Sequence, residues 1–214
     1  MADPLDPTSD ERARLVGAAW VVLERAGYEG FKVQLLLRET GLSARTFYRH
    51  FVDKDELLLV LMTDEYARAA TRIRAALARA DGPDAKVAAW IDEIVQAAGD
   101  PKRSARARLF TSQAAVLRRY PDELSSAARL ILDPLEDAIR EGRTTGVLPW
   151  GDPERDPLLV HHLAGAAMAY ALADRAGRSV DEVAAEVTGF VLRALGARQV
   201  AGTRGERAPR TRHG

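Results

Sequence analysis

Apolar residues along the chain recur at intervals of three and four, the period of amphipathic α-helices, and the alternation typical of strands is nearly absent. Capping residues, Gly and Pro divide this pattern into helices. The predicted helices cover residues 8–26, 33–40, 44–51, 54–79, 84–98, 101–119, 122–142, 152–176 (starting at Asp152 or Asp156) and 179–195. Thr8 with Glu11, and Ser179 with Glu182, are predicted to form capping boxes. The sequence therefore predicts an all-α fold of about nine helices.

The most informative pattern lies in residues 27–54, where two short predicted helices flank a tight turn. Gly41 can take the left-handed conformation that ends a helix, and Ser43 is placed to cap the next one. In that next helix Phe47 and Phe51 share one face. The opposite face carries Ala44, Arg45, Tyr48 and Arg49. A short helix with an aromatic underside and an Arg/Tyr outer face suits the major groove of DNA, so the segment is interpreted as a helix-turn-helix.

The distribution of charge agrees with this interpretation, although the formal net charge of the whole chain is zero. Residues 32–54 contain five basic and two acidic side chains, which is a local positive excess where DNA would lie. Residues 198–214 contain five Arg together with Gly and Pro and almost no apolar residues. Such a composition predicts a disordered basic tail over residues 197–214.

Residues 8–66 contain an amphipathic helix and a series of short motifs in an order that is typical of one protein family. The amphipathic first helix is followed by Gly27-Tyr28-Glu29-Gly30, Gly41-Leu42-Ser43 and Thr46-Phe47-Tyr48-Arg49-His50-Phe51, and then by Lys54 at the start of a fourth helix. In these features the chain resembles the N-terminal domain of the tetracycline-repressor (TetR) family of bacterial regulators. The resemblance implies a homodimer that binds a palindromic double-stranded DNA operator and is released by a small-molecule effector. It divides the chain into a helix-turn-helix DNA-binding domain (1–53), a helical ligand-binding and dimerisation domain (54–196) and the tail.

Within the motif, Arg45 is the first choice for a base contact, because its forked guanidinium can pair with guanine O6 and N7. Ala44 and Thr46 can offer methyl groups to thymine. Tyr48 and His50 are expected at phosphates, with a core-packing role for His50 as an equally supported alternative. Lys32 stands where the family often has the Thr or Ser that contacts phosphate. The predicted DNA-binding residues are Lys32, Gln34, Ser43, Ala44, Arg45, Thr46, Tyr48, Arg49, His50 and Lys54.

In the C-terminal half, helical periodicity directs a set of mainly apolar side chains inward. The predicted ligand-pocket residues are Tyr66, Trp90, Ile94, Phe110, Gln113, Leu117, Leu135, Ile139 and His162. Gln113 is the lone amide in its stripe, and either a ligand or a neighbouring backbone group must pair with it. Pro134 removes the hydrogen bond to the Leu130 carbonyl and predicts a kink, either at a pocket edge or in a helix that bends around the core. Simple packing is the alternative for all of these residues, and for His162 a place at the dimer interface is a further alternative.

The last two long helices are predicted to form the dimer interface. Gly165, Ala169 and Ala173 make a stripe of small residues that permits close approach of another helix, although an intramolecular core would use the same stripe. His161 and His162 are adjacent and point about 100° apart on a helix, so they cannot bind one metal ion from one face. We therefore predict neither a metal site nor a cofactor.

Composition limits the function further. The chain has no Cys, which excludes disulfides and thiolate chemistry, and with no signal peptide before the first helix it predicts a cytoplasmic protein. The apolar run 158–173 is too short to span a membrane. We predict a transcriptional regulator and not an enzyme, most simply a repressor released by a small apolar or amphipathic ligand. The alternative is an all-α enzyme or small-molecule carrier using the same cavity, but no Gly-rich phosphate loop, GxSxG or HExxH motif supports it.

Overall fold

The computed structural model describes residues 7–111, 114–173 and 177–198, and every regular element within these ranges is helical. The helices are α1 (Pro7–Gly30), α2 (Val33–Thr40), α3 (Ala44–His50), α4 (Lys54–Leu77), α5 (Pro83–Val95), α6 (Pro101–Thr111), α7 (Ala114–Arg119), α8 (Pro121–Thr145), α9 (Asp156–Leu172) and α10 (Val180–Ala194). A 3-10 turn, Gln96–Ala98, follows α5. The all-α prediction is confirmed. The predicted helix over 101–119 corresponds to α6 and α7, with residues 112 and 113 outside the described part.

The helix boundaries are predicted from local capping residues, and several of these residues or pairs act in the structure as expected. Gly41 ends α2 with φ 67°, and its N–H donates to the Leu37 carbonyl. Gly27 has φ 65° and interrupts α1 close to the predicted end of the first helix. Ser179 and Glu182 form the predicted capping box of α10. Glycine adopts a positive φ at little cost, which explains its presence at positions 27 and 41.

The prediction of a capping box at Thr8 and Glu11 is wrong. The helix α1 already begins at Pro7, so Thr8 lies inside it. Proline fits the first turn of a helix because its missing N–H would have no partner there. The carboxylate of Glu11 is directed instead toward α3, where it contacts Arg49 and His50.

The buried side chains form two clusters, one at each end of α4. The N-terminal cluster joins α1, α2, α3 and the first turns of α4, and Val116 and Leu124 of α7 and α8 also contribute to it. The C-terminal cluster joins the rest of α4 with α5, α8, α9 and α10. Tyr66, in the middle of α4, packs against both clusters, and burial raises its pKa. The helix α4 therefore belongs to both halves of the chain.

Pro134 lies inside α8, as predicted, and the helix continues through it to Thr145. Its ring leaves the Leu130 carbonyl without its usual helical donor. Arg74 of α4 donates to that carbonyl at 3.5 Å, and Trp90 of α5 donates from Nε1 to the next one, Ile131, at 2.7 Å. Side chains from two neighbouring helices thus take up the backbone acceptors around the proline. None of the described helices is both long and apolar enough to cross a membrane.

Candidate nucleic-acid interface

The helix α3 is fixed at its start by its own side chains. The Ser43 hydroxyl accepts a hydrogen bond from the Thr46 N–H at 3.1 Å, and the hydroxyls of the two residues are 3.0 Å apart. The predicted capping role of Ser43 is therefore confirmed. A cap of this kind contributes about 1 kcal/mol to helix stability. It matters here because α3 has only seven residues and could not hold its shape alone.

The aromatic underside of α3 is buried as predicted. Phe47 and Phe51 are inaccessible to solvent, and their ring centroids lie 5.6 Å apart. The ring of Tyr48 meets Phe47 edge to face at 5.2 Å, yet 61% of Tyr48 remains exposed. Ala44 and Arg45 are exposed on the same outward side as Tyr48. The structure therefore presents a small, polar outer face supported by a rigid aromatic layer.

Arg49 and His50 both contact an acidic side chain of α1 in this arrangement. Arg49 forms an ion pair with Glu11 of α1, and His50 places Nε2 3.2 Å from the same carboxylate. The His50 side chain is only 5% exposed and lies beside Phe51. The core-packing alternative for His50 fits this position, and its predicted phosphate contact would need the ring to leave its present contacts. Glu11, 38 residues before Arg49, is a functional candidate that helical periodicity did not reveal.

The start of α4 is built around Asp53. Its carboxylate accepts from the N–H groups of Asp55 and Glu56 at 2.9 and 3.0 Å, and it also pairs with Arg119 of α7. Burial acts to raise the pKa of Asp53, but the Glu56 N–H and Arg119 outweigh it and the pKa is lowered. The Glu56 carboxylate accepts from the Val52 N–H instead of completing a capping box with Asp53. Arg119 thereby ties α7 to the end of the helix-turn-helix, a contact that the sequence did not indicate.

The remaining predicted DNA contacts lie around α3. Lys32 and Gln34, at the start of α2, are both exposed. Lys54 is half-buried at the first position of α4 and has partners of its own. These positions are compatible with phosphate contacts, and the DNA-binding assignment of all ten residues stays a prediction.

The predicted pocket residues do not form one group. Trp90, Leu135 and Ile139 are fully buried in the C-terminal cluster, and the Trp90 indole is already bonded to Ile131. Ile94 and Tyr66 are only partly buried at its edge. The side chains of Phe110, Gln113 and Leu117 lie outside the described part of the chain. An open groove of about 530 Å³ between α5 and α10 contains none of the predicted residues. Ligand contact by these residues therefore stays a prediction.

His162 is exposed in this chain, which leaves its placement at a pocket or at the dimer interface a prediction, and the histidine that faces the interior is His161. The His161 ring meets Trp90 nearly perpendicularly at 6.1 Å, and its Nδ1 is buried without a partner among the described residues. Burial, and then the proximity of His162, lower the pKa of His161 to about 4. His161 is therefore neutral at pH 7. Within the described residues, no group of three His, Asp or Glu side chains is arranged to hold a metal ion.

Three solved structures share the fold. FadR from Bacillus subtilis, in complex with stearoyl-CoA, superposes with a TM-score of 0.69 at 16% identity, covering 85% of this chain and 98% of its own. The fatty acid degradation regulator FadR from Bacillus halodurans gives 0.70 at 18% identity over 92% and 100%. A bacterial regulatory protein of the tetR family from Rhodococcus RHA1 gives 0.68 at 20% identity over 88% and 98%. These likenesses extend over both halves of the chain.

A comparison with curated proteins found no match. The family model for bacterial regulatory proteins of the tetR family matches residues 15–61, the segment that contains the capped, aromatic-backed helix α3. The matched residues run from the buried part of α1 through both helices of the motif to the first turns of α4. The helix-turn-helix segment is thus the part of the chain that matches the TetR family of bacterial regulatory proteins in sequence, and the three regulators share its all-helical fold.

Proposed function

We propose that this DNA-binding regulator is a repressor that binds a palindromic operator as a homodimer and is released by a small apolar or amphipathic effector. The observation that carries the proposal is the outer face of α3. Ala44, Arg45 and Tyr48 are exposed side by side, and the buried Phe47 and Phe51 hold that face in place. Arg45 has no partner among the described residues, so its guanidinium is available for the guanine edge.

An exposed apolar surface supports the homodimer. Leu159 and Tyr170 of α9 are 61% and 42% exposed, and Phe190 of α10 is 59% exposed. Leu159, Ala166 and Tyr170 fall on one face of α9, because they follow one another at intervals of seven and four. A helix that is apolar all round is normally covered on both sides. A Cβ added at Gly165 would meet nothing within 4 Å in this chain, which leaves room for close approach of a partner helix.

The interior of the C-terminal half supports the proposed effector. The C-terminal cluster is large and apolar, and His161 adds a neutral polar atom to it. The Bacillus subtilis neighbour binds stearoyl-CoA, an amphipathic molecule, on the same fold. We propose an effector of that general character. It would act by binding more tightly to a conformation in which the two recognition helices no longer fit successive major grooves.

The experiment that tests the proposal selects bound fragments from a random double-stranded DNA library and then measures retardation of the selected sequence. A palindromic site with half-sites about 34–36 Å apart is the expected result. That complex is then titrated with stearoyl-CoA and, as the control, with CoA that carries no acyl chain. Only the acylated compound should release the DNA. Selection that yields no enriched sequence would reject sequence-specific binding.

A further inference from the structure

A cluster of charged side chains lies between the two halves of the chain, where α4, α5 and α6 meet. Glu65 of α4 is buried and pairs with Arg72 at 3.0 Å and with Arg106 of α6 at 3.4 Å. Arg72 also pairs with Glu93 of α5 at 2.8 Å, and Arg103 of α6 pairs with Glu93 at 2.6 Å. Three guanidinium groups thus share two carboxylates, so the cluster carries one excess positive charge.

The cluster extends to α1 through an aromatic contact. The guanidinium carbon of Arg106 lies 4.9 Å from the centre of the Trp20 ring, which is a cation–π distance. Trp20 is 7% exposed and belongs to the N-terminal cluster that supports the helix-turn-helix. Arg106 therefore contacts the DNA-binding half through Trp20 and the other half through Glu65.

Three N–H donors in this cluster lack an acceptor. The Nε1 of Trp20 and the Nε atoms of Arg103 and Arg106 are buried and have no hydrogen-bond partner among the described residues. Buried donors are nearly always paired, because leaving one unpaired loses the hydrogen bonds that it makes with water. The glutamates are already used by the other guanidinium nitrogens. The cluster lacks both an acceptor and one negative charge.

We propose that Trp20, Arg103 and Arg106 form a binding site for an oxyanion, the carboxylate or phosphate head of the effector. An oxyanion supplies the missing charge and accepts from N–H donors, and Arg is well suited to carboxylate and phosphate geometry. A neutral head group supplies no charge, and a cation is repelled by the three arginines. This inference rests on the proposed effector response and adds the chemistry of the head group. Because Trp20 lies in α1, the same anion contacts the half of the protein that binds DNA.

The test follows the Trp20 indole N–H by ¹H–¹⁵N NMR of the full chain. The chain has three Trp, and the Trp20 signal is the one that Trp20→Phe removes. The probes are dodecanoate, dodecyl phosphate and dodecan-1-ol, which share one apolar chain and differ in the head group. We expect at least one anionic probe to move the Trp20 signal, and the alcohol to leave it in place. The anion that acts identifies the head group as carboxylate or phosphate.

Calorimetric titration provides the second measurement. Trp20→Phe keeps the aromatic ring and removes its N–H, and Arg106→Gln removes one charge. Each should weaken binding of the active anion about tenfold, the scale of a lost charge-assisted hydrogen bond. Arg79→Gln, on an exposed residue after α4, is the charge-matched control and should bind like the native chain.

Two results would overturn the proposal: neither anion moves the Trp20 signal, or the alcohol moves it equally. The measurement uses no DNA, so its outcome is separate from that of the proposed function. A Trp20 shift in a protein whose operator complex is insensitive to the same anion would retain the anion site and reject the effector response.

Discussion

The carboxylate of Glu11 in α1 lies 3.2 Å from Nε2 of His50, the last residue of α3, and also pairs with Arg49. An acidic residue of the first helix thus holds the end of the recognition helix. The contact neutralises Arg49, one of the residues predicted to meet DNA. Two effects of Glu11 follow as predictions: it positions α3, and it limits the attraction of α3 for phosphates.

The first effect predicts a pH dependence of stability. The hydrogen bond to His50, and then that to Arg49, lower the pKa of Glu11. A carboxyl group with a lowered pKa stabilises the fold above its unfolded pKa, about 4.3, and the contribution is lost as the pH falls through the folded value. We expect Glu11→Gln to reduce the loss of unfolding free energy below about pH 4.3, measured by urea denaturation at a series of pH values. Glu24→Gln, at an exposed position of α1, is the control. If the unfolding free energy of Glu11→Gln and of the native chain fell equally steeply with pH, the contact of Glu11 with His50 and Arg49 would be contradicted.

The second effect predicts tighter binding to random DNA. Glu11→Gln leaves Arg49 free to meet a phosphate and removes a like charge from the surface. We expect affinity for a random duplex to rise and the slope of log K against log salt to steepen by about one unit, because one more phosphate is neutralised. Retardation or anisotropy at several salt concentrations measures this. An unchanged salt dependence would show that Arg49 does not contact the DNA phosphates even after its ion pair with Glu11 is removed.

A base-reading role for Arg45 predicts a loss of discrimination. Arg45→Ala should reduce the preference for operator over random DNA by about 1–3 kcal/mol, the value of a good bidentate contact. Lys32→Ala is the matched control, because an exposed Lys at a phosphate should weaken binding to all sequences alike. Competition between selected and random duplexes measures both. If Arg45→Ala weakened binding to both duplexes equally, Arg45 would be assigned to a DNA phosphate and not to a base.

The sequence predicted the helix-turn-helix well because its determinants are local. The turn at Gly41, the cap at Ser43 and the pairing of Phe47 with Phe51 all lie within four residues of their partners. Contacts between distant helices carry no such signal. Glu11 is 38 residues from Arg49, and Trp90 is 41 residues from the carbonyl that it bonds. Nothing in the spacing of either pair indicates that folding brings them together.

For a related reason, the sequence did not show which of His161 and His162 faces the interior of the chain. A helix with one apolar face shows from its sequence which residues point inward. The helix α9 is apolar around its whole circumference, so the pattern does not fix its rotation. Packing against α5 decides it, and the ring that meets Trp90 is that of His161. The same all-round apolarity is what indicates a second copy of the chain on the other side.

The dimer prediction can be tested on that outer side. Ala166 is exposed on α9, in line with Leu159 and Tyr170. We expect Ala166→Glu to place a charge in the interface and convert a dimer into a monomer in sedimentation velocity, with loss of specific operator binding but retention of weak binding to random DNA. Ala75→Glu, at an exposed position of α4, should remain dimeric. A native chain that sediments as a monomer at micromolar concentration would reject the assembly outright.

The buried ring of His161 gives the last prediction. Burial, and then His162, lower its pKa from 6.5 to about 4, so the folded chain resists a proton that the unfolded chain accepts. Below pH 6.5 the unfolded state binds more protons, and stability must therefore fall as the pH falls until the folded His161 itself titrates near pH 4. At 1.36 kcal/mol per pKa unit, the loss over this window is about 3 kcal/mol.

The variant His161→Gln removes this titrating group and keeps a polar side chain of similar size. Its unfolding free energy should therefore lack the fall that His161 causes between pH 6.5 and pH 4. His162→Gln, on the exposed side of the same helix, should retain it. Denaturation midpoints for the three proteins between pH 7 and 4 decide the question, and parallel curves for His161→Gln and the native chain would show that the ring is solvated and not held against Trp90.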